Sequence, residues 1–114
     1  MIESSPVIDL APQHLATVRS ILQTALPTVP AFAFGSRVKN TGLARGARAA
    51  KKHSDLDIAL KPTHPLGWRA LADLREAFEE SDLPIRVDVV DWSACSDEFK
   101  QHMAGMVAIN NIAN

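Results

Sequence analysis

Residues 55–60 read Asp-Leu-Asp-Ile-Ala-Leu, and no other segment constrains the chain as tightly. Leu56, Ile58 and Leu60 alternate with Asp55, Asp57 and Ala59. Successive side chains of an extended chain point to opposite faces, so this is a strand with one dry face and one chemically loaded face. On the loaded face Asp55 and Asp57 project side by side. Adjacent ionised carboxylates repel, which raises one pKa unless a cation sits between them. Oxygen ligands of this kind suit magnesium, which takes one or two carboxylates together with substrate phosphates. Two exposed acids on a sheet edge would give the same pattern, so the pair needs support from elsewhere in the chain.

The segments around it supply helices and further strands. Over residues 12–26 the apolar Leu15, Val18, Ile21, Leu22, Ala25 and Leu26 recur at helical spacing. Pro12 suits a first helical position and Pro27 stops the helix. Ala31-Phe32-Ala33-Phe34 reads as a short buried strand ending at Gly35. Residues 38–52 contain Gly42 and Gly46 without apolar periodicity and are expected to form a loop. A helix is predicted over 66–81, with Trp68, Leu71, Leu74 and Phe78 as its core stripe. Residues 85–91 form a strand rich in β-branched side chains. Ser96, followed by Asp97 and Glu98, reads as the N-cap of a last helix ending near Gly105, before an extended 106–109. Strands alternating with helices favour a layered α/β (α+β) domain, helices packed over a small mixed β-sheet. The 114 residues predict one domain, 1–114.

Two further signals converge on the aspartate pair. Asp88 stands among Arg86, Val87, Val89 and Val90, an acid inside an apolar strand, which is costly unless the acid is paired or binds metal. If strand 85–91 lies beside strand 55–60, Asp88 completes a three-carboxylate cluster with Asp55 and Asp57. Three carboxylates facing two magnesium ions suit in-line phosphoryl transfer, and Asp88 would lie nearest the attacking hydroxyl, placed to take its proton. Gly35-Ser36 directly after a strand lets the backbone approach a ligand closely and aim N–H groups at a phosphate. The Ser36 hydroxyl adds a donor and Arg37 a charged fork. Asp91, out of phase with Asp88, reads as a strand-end cap, and His53 as an idle loop histidine.

Charge and composition narrow the partners. The net charge of −1 points to no nucleic-acid or membrane partner. Half of the twelve Lys and Arg residues (Arg37, Lys39, Arg45, Arg48, Lys51 and Lys52) fall within 16 positions that hold no acid. Such a block is either a solvated loop or an attractor for a polyanion such as a triphosphate. The single Cys95 excludes an internal disulfide, fits a reducing cytosol, and reads as a small buried hydrophobe. The first residues lack the features of a signal peptide, and no apolar run reaches the roughly 20 residues of a membrane span. A cytoplasmic protein is expected.

Taken together, Phe34-Gly35-Ser36-Arg37, then Ser54-Asp55-Leu56-Asp57-Ile58-Ala59-Leu60, then Val87-Asp88-Val89-Val90-Asp91-Trp92 resemble the polymerase-beta-like nucleotidyltransferases. The phrasing is closest to the minimal nucleotidyltransferase (MNT) group, including the stretch Leu-Pro-Ile-Arg-Val-Asp-Val-Val-Asp-Trp at 83–92, and the similarity spans about residues 10–109. The resemblance implies that fold, metal binding by Asp55, Asp57 and Asp88, and nucleotide or phosphate binding by Gly35 and Ser36, with Arg37 and Ser54 beside them. It implies magnesium as cofactor and ATP as substrate. It also implies a HEPN-domain partner in a toxin–antitoxin pair, AMP passing from ATP to a tyrosine of the HEPN toxin. The stretch between Gly-Ser and Asp-x-Asp is longer and more basic here than in much of the group. This loop, about 38–52, is expected to gate nucleotide entry, grip a partner or displace the phosphates. A chain of this length has no extra domain to grip an acceptor, so that surface is expected from a partner or a second copy of the chain.

Two other functions remain compatible with the sequence. One is a non-catalytic antitoxin that neutralises its partner by binding and occlusion; three retained aspartates argue against it. The other is nucleotidyl transfer to a small molecule or RNA, disfavoured by the lack of a stacking surface or overall basic charge.

Overall fold

The computed structural model describes residues 6–40, 55–103 and 105–110. In chain order these form β1 (Pro6–Ile8), α1 (Pro12–Ala25), β2 (Ala31–Phe34), β3 (Val38–Asn40), β4 (Leu56–Leu60), α2 (Trp68–Glu79), β5 (Val87–Asp91), α3 (Asp97–His102) and β6 (Val107–Ala108). A four-stranded sheet runs in the order β5-β4-β2-β6, with β4 and β5 parallel and the other pairings antiparallel. It is the small mixed sheet expected from the alternation of strands and helices.

Register explains which residues are buried. Ala31 lies opposite Leu60, Ala33 opposite Ile58, and Ile58 beside Val89. Paired positions share a face, so these residues make one apolar surface. Val18 and Leu22 of α1 and Leu74 and Phe78 of α2 close over it, forming the core with Leu56 and Ile109. Each large aliphatic side chain buried there contributes about 1.5–3 kcal/mol. Helix α1 begins at Pro12 as predicted, and Leu26 donates its N–H to the Leu22 carbonyl before Pro27.

Several expectations change. The predicted loop begins later than position 38, because residues 38–40 pair antiparallel with β1, Ile8 opposite Val38. Three-residue strands carry too little periodicity to be seen in a sequence, and their pairing partner lies some thirty positions away. Trp68 is not a core residue: it sits at the first position of α2, 75% exposed, with the Arg69 guanidinium 5.1 Å from its ring centroid. It is in phase with the Leu71, Leu74 and Phe78 stripe, but phase does not decide whether anything covers that end of the helix. Asp88 is exposed, not buried, because β5 is an edge strand of the sheet. The remainder of the basic stretch, 41–52, and His53 lie outside the described residues.

Asp91 is the buried acid of β5, 5% exposed. Its carboxylate accepts hydrogen bonds from Leu66 N at 2.8 Å, Ser93 N at 2.9 Å and Ser93 Oγ at 2.6 Å. It ties the approach to α2 to the turn after β5. Ser96 caps α3 as predicted, its Oγ accepting from Phe99 N at 3.1 Å. No helix among the described residues is long and apolar enough to cross a membrane.

Candidate functional site

The sheet face away from α1 and α2 carries the chemistry. Phe34 lies opposite Asp57 across β2 and β4, and Asp57 beside Asp88 across β4 and β5. Asp55 immediately precedes β4, two positions before Asp57. Thus two of the three predicted carboxylates occupy matched positions on neighbouring strands, and the third adjoins them along the chain. Asp57 registers the crowding: burial, then the charge of Asp88, then that of Asp55 push its carboxyl above the ordinary aspartate range. The burial cost expected at Asp88 therefore falls on Asp57, which has strands on both sides.

Gly35 and Ser36 follow β2 as a single 3-10 turn ending at Arg37. Gly35 adopts φ +84°, a backbone conformation that other residues rarely take, and a Cβ there would overlap the Asp57 carboxylate. The glycine is thus required twice, by its conformation and by its approach to the acid. Ser36 is exposed beside it. Arg37 departs from the expectation of a phosphate ligand: it is 7% exposed, and its Nη1 donates to the Asp9 carbonyl at 2.8 Å. Asp9 N in turn donates to the Arg37 carbonyl at 2.6 Å. The arginine fastens the turn to the segment between β1 and α1. A sequence displays its charge but not its burial. Ser54 lies outside the described residues.

Sequence reasoning did not find the surroundings of these groups. A cleft of about 230 Å³ beside Gly35 is lined by Phe34, Val38, His102, Gly105 and Met106. Phe99 of α3 meets Phe34 edge-on, ring centroids 6.0 Å apart. A larger cleft of about 310 Å³ lies on the other side of Asp88. These residues come from separate elements and carry no local signal. Cys95 is half-buried, with burial raising its thiol above the ordinary range, as befits an inert side chain.

The donor set suits a hard cation. Among the described residues no group of three acid, histidine or cysteine side chains forms a ready cage for an ion. Magnesium needs none, since it takes one or two carboxylates and completes its shell with water and substrate phosphates. The repulsion focused on Asp57 is what such a cation would relieve, so the residues present fit it.

No family model matches the chain. A curated relative from Haemophilus influenzae, a probable protein adenylyltransferase named MntA, is 45% identical over 94 residues, covering 82% of this chain and 75% of the relative. The chain belongs to the MntA protein adenylyltransferase family. Solved structures agree on the fold. A toxin–antitoxin crystal structure with AMP-PNP superimposes with a TM-score of 0.63 at 22% identity, over 85% of this chain and 73% of that one. The toxin–antitoxin MntA-HepT gives 0.55 at 18% identity, over 89% and 73%. The resemblance to nucleotidyltransferase antitoxins drawn from Gly35-Ser36, Asp55-x-Asp57 and Asp88 is therefore correct at the level of family and fold.

Proposed function

We propose that this MntA-family chain transfers AMP from ATP to a tyrosine hydroxyl of a HEPN-type toxin encoded beside it, and so acts as its antitoxin in the cytoplasm. The observation that carries the reading is the placement of Gly35, in the turn that ends β2, against Asp57 of the neighbouring β4, with Asp88 of β5 beside Asp57. In this reading the backbone of Gly35 and Ser36 receives the triphosphate, where free N–H groups and the Ser36 hydroxyl offer donors. Arg37 is a positioning residue that holds the turn through Asp9. Asp57 and Asp88, with Asp55 behind them, would hold magnesium, which when bound neutralises the charge of the phosphates and aligns them for in-line displacement. Asp88, exposed on the edge strand, meets the acceptor hydroxyl and takes its proton. The acceptor oxygen bonds to the α-phosphorus, the bond to the α,β-bridging oxygen breaks, and pyrophosphate leaves.

The test is incubation of the chain, magnesium and labelled ATP with the neighbouring toxin, read by intact mass. A gain of AMP on the toxin, reduced at least about 100-fold in Asp57→Asn and Asp88→Asn, supports the reading; that loss is the scale for removing a principal electrostatic group. No gain, together with neutralisation of the toxin by the triple Asp55→Asn, Asp57→Asn, Asp88→Asn variant, would instead identify an antitoxin that works by occlusion.

A further inference from the structure

The face that carries the acids ends, at its other extreme, in a group of opposite sign. Along it Asp57 and Asp88 are followed by Ala59 and Val90, with Phe32 opposite Ala59. Lys61 and Trp92 come next, just past the last registered positions of β4 and β5. Lys61 is four residues beyond Asp57, about 13 Å along an extended chain. Its Nζ sits 4.4 Å from the centroid of the Trp92 ring and 5.4 Å from that of Phe32. Lys100 of α3 brings a second ammonium over the same indole, at 4.2 Å. Its neighbour Phe99 meets Phe34, the residue opposite Asp57, so α3 spans the face from the acid end to the lysine end.

The charge of this cluster is not balanced. The ring quadrupole attracts an ammonium, but here two share one ring and repel each other. They lie closer together than the roughly 10 Å over which 0.1 M salt screens exposed charges. Among the described residues no carboxylate forms an ion pair with either lysine. Asp91, next to Trp92, commits its carboxylate to Leu66 and Ser93. Lys61, Trp92 and Lys100 are all half-buried, so each ammonium has shed part of its water. An anionic oxygen reaching both ammoniums from outside would relieve the repulsion and replace that water. A protein carboxylate fits this role better than a nucleic-acid strand. Single-stranded nucleic acid stacks its bases on free aromatic faces, whereas this indole is engaged by the chain's own lysines. The acids on the same face would also repel a run of phosphates.

We propose that Lys61, Trp92 and Lys100 form a docking surface, separate from the reacting acids, for an acidic segment of the partner protein. That the partner is the neighbouring toxin rests on the adenylyl-transfer reading above.

The test is calorimetric binding of the whole chain to that toxin with no nucleotide present. The double variant Lys61→Gln, Lys100→Gln removes both charges, and Lys61→Arg, Lys100→Arg keeps them. The expected result is binding about tenfold weaker or more in the glutamine variant, with a flatter salt dependence, and near wild type in the arginine variant. Wild-type affinity in the folded glutamine variant would overturn the proposal, and so would equal loss in both variants, which would mark the cluster as purely structural. In Trp68→Phe, Trp92 is the one indole left in the chain. Its emission should shift on titration with hexaglutamate; a shift with hexauridylate instead would make this a nucleic-acid surface and overturn the assignment. Toxin that binds through these lysines but gains no AMP from the wild-type chain would remove the transfer reading and leave the docking surface standing.

Discussion

At the scale of single residues, Gly35 and Asp57 form a coupled pair. Gly35→Ala places a Cβ both in the left-handed region, at about 1–2 kcal/mol, and against the Asp57 carboxylate. Urea unfolding should show a loss of at least that size, and an unchanged midpoint would mean the turn can relax away from the acid. Burial and the charges of Asp88 and Asp55 disfavour the ionised form of Asp57. Its folded pKa lies above the ordinary 3.8, so the folded chain binds its proton more tightly than the unfolded chain. Its contribution is therefore most favourable below 3.8 and is lost as pH rises through the raised value. Asp57→Asn should melt above the wild type at neutral pH without magnesium, the difference closing below pH 3.8. Saturating magnesium should raise the wild-type melting temperature and leave the variant's in place. Equal melting temperatures at neutral pH would show that the repulsion is already discharged.

Among the elements, the link between β4 and α2 depends on one buried carboxylate. Asp91 accepts three hydrogen bonds, two of them from backbone N–H groups of different segments. Asp91→Ala leaves those donors without an acceptor in a partly buried place, at a cost of about 3 kcal/mol on the scale of bonds to charged groups. Calorimetric melting should register it, and the amide of Leu66 should lose protection from hydrogen exchange. A variant with wild-type melting would show that water replaces the carboxylate.

Across the whole molecule, Asp57 and Asp88 share one sheet face because the other is consumed by packing. Leu22, 1% exposed, joins α1 to the sheet through the cluster that also holds Ile58, Leu74 and Val89. Leu22→Ala should cost about 2–5 kcal/mol, a large part of the roughly 5–15 kcal/mol that domains of this size possess. Denaturant titration measures it. A smaller loss would mean that α1 settles into the vacancy.

The strand at 55–60, the Gly-Ser turn, both long helices and the cap at Ser96 were legible in the sequence, because each is set by side-chain period, backbone freedom or a hydrogen bond within four residues. The apposition of Asp57 and Asp88 was legible only as a condition, that two strands be neighbours; the tertiary fold met it. Burial was decided by the tertiary structure alone. It put Asp88 on an open edge, Arg37 inside against Asp9, and Trp68 in solvent, in each case because exposure depends on what other elements cover. The pairing of β1 with β3 and the two clefts beside the acids belong to the same class. Their residues are distant along the chain and share no local pattern, and only the packing of α2, β5 and the carboxy-terminal strand brings them together.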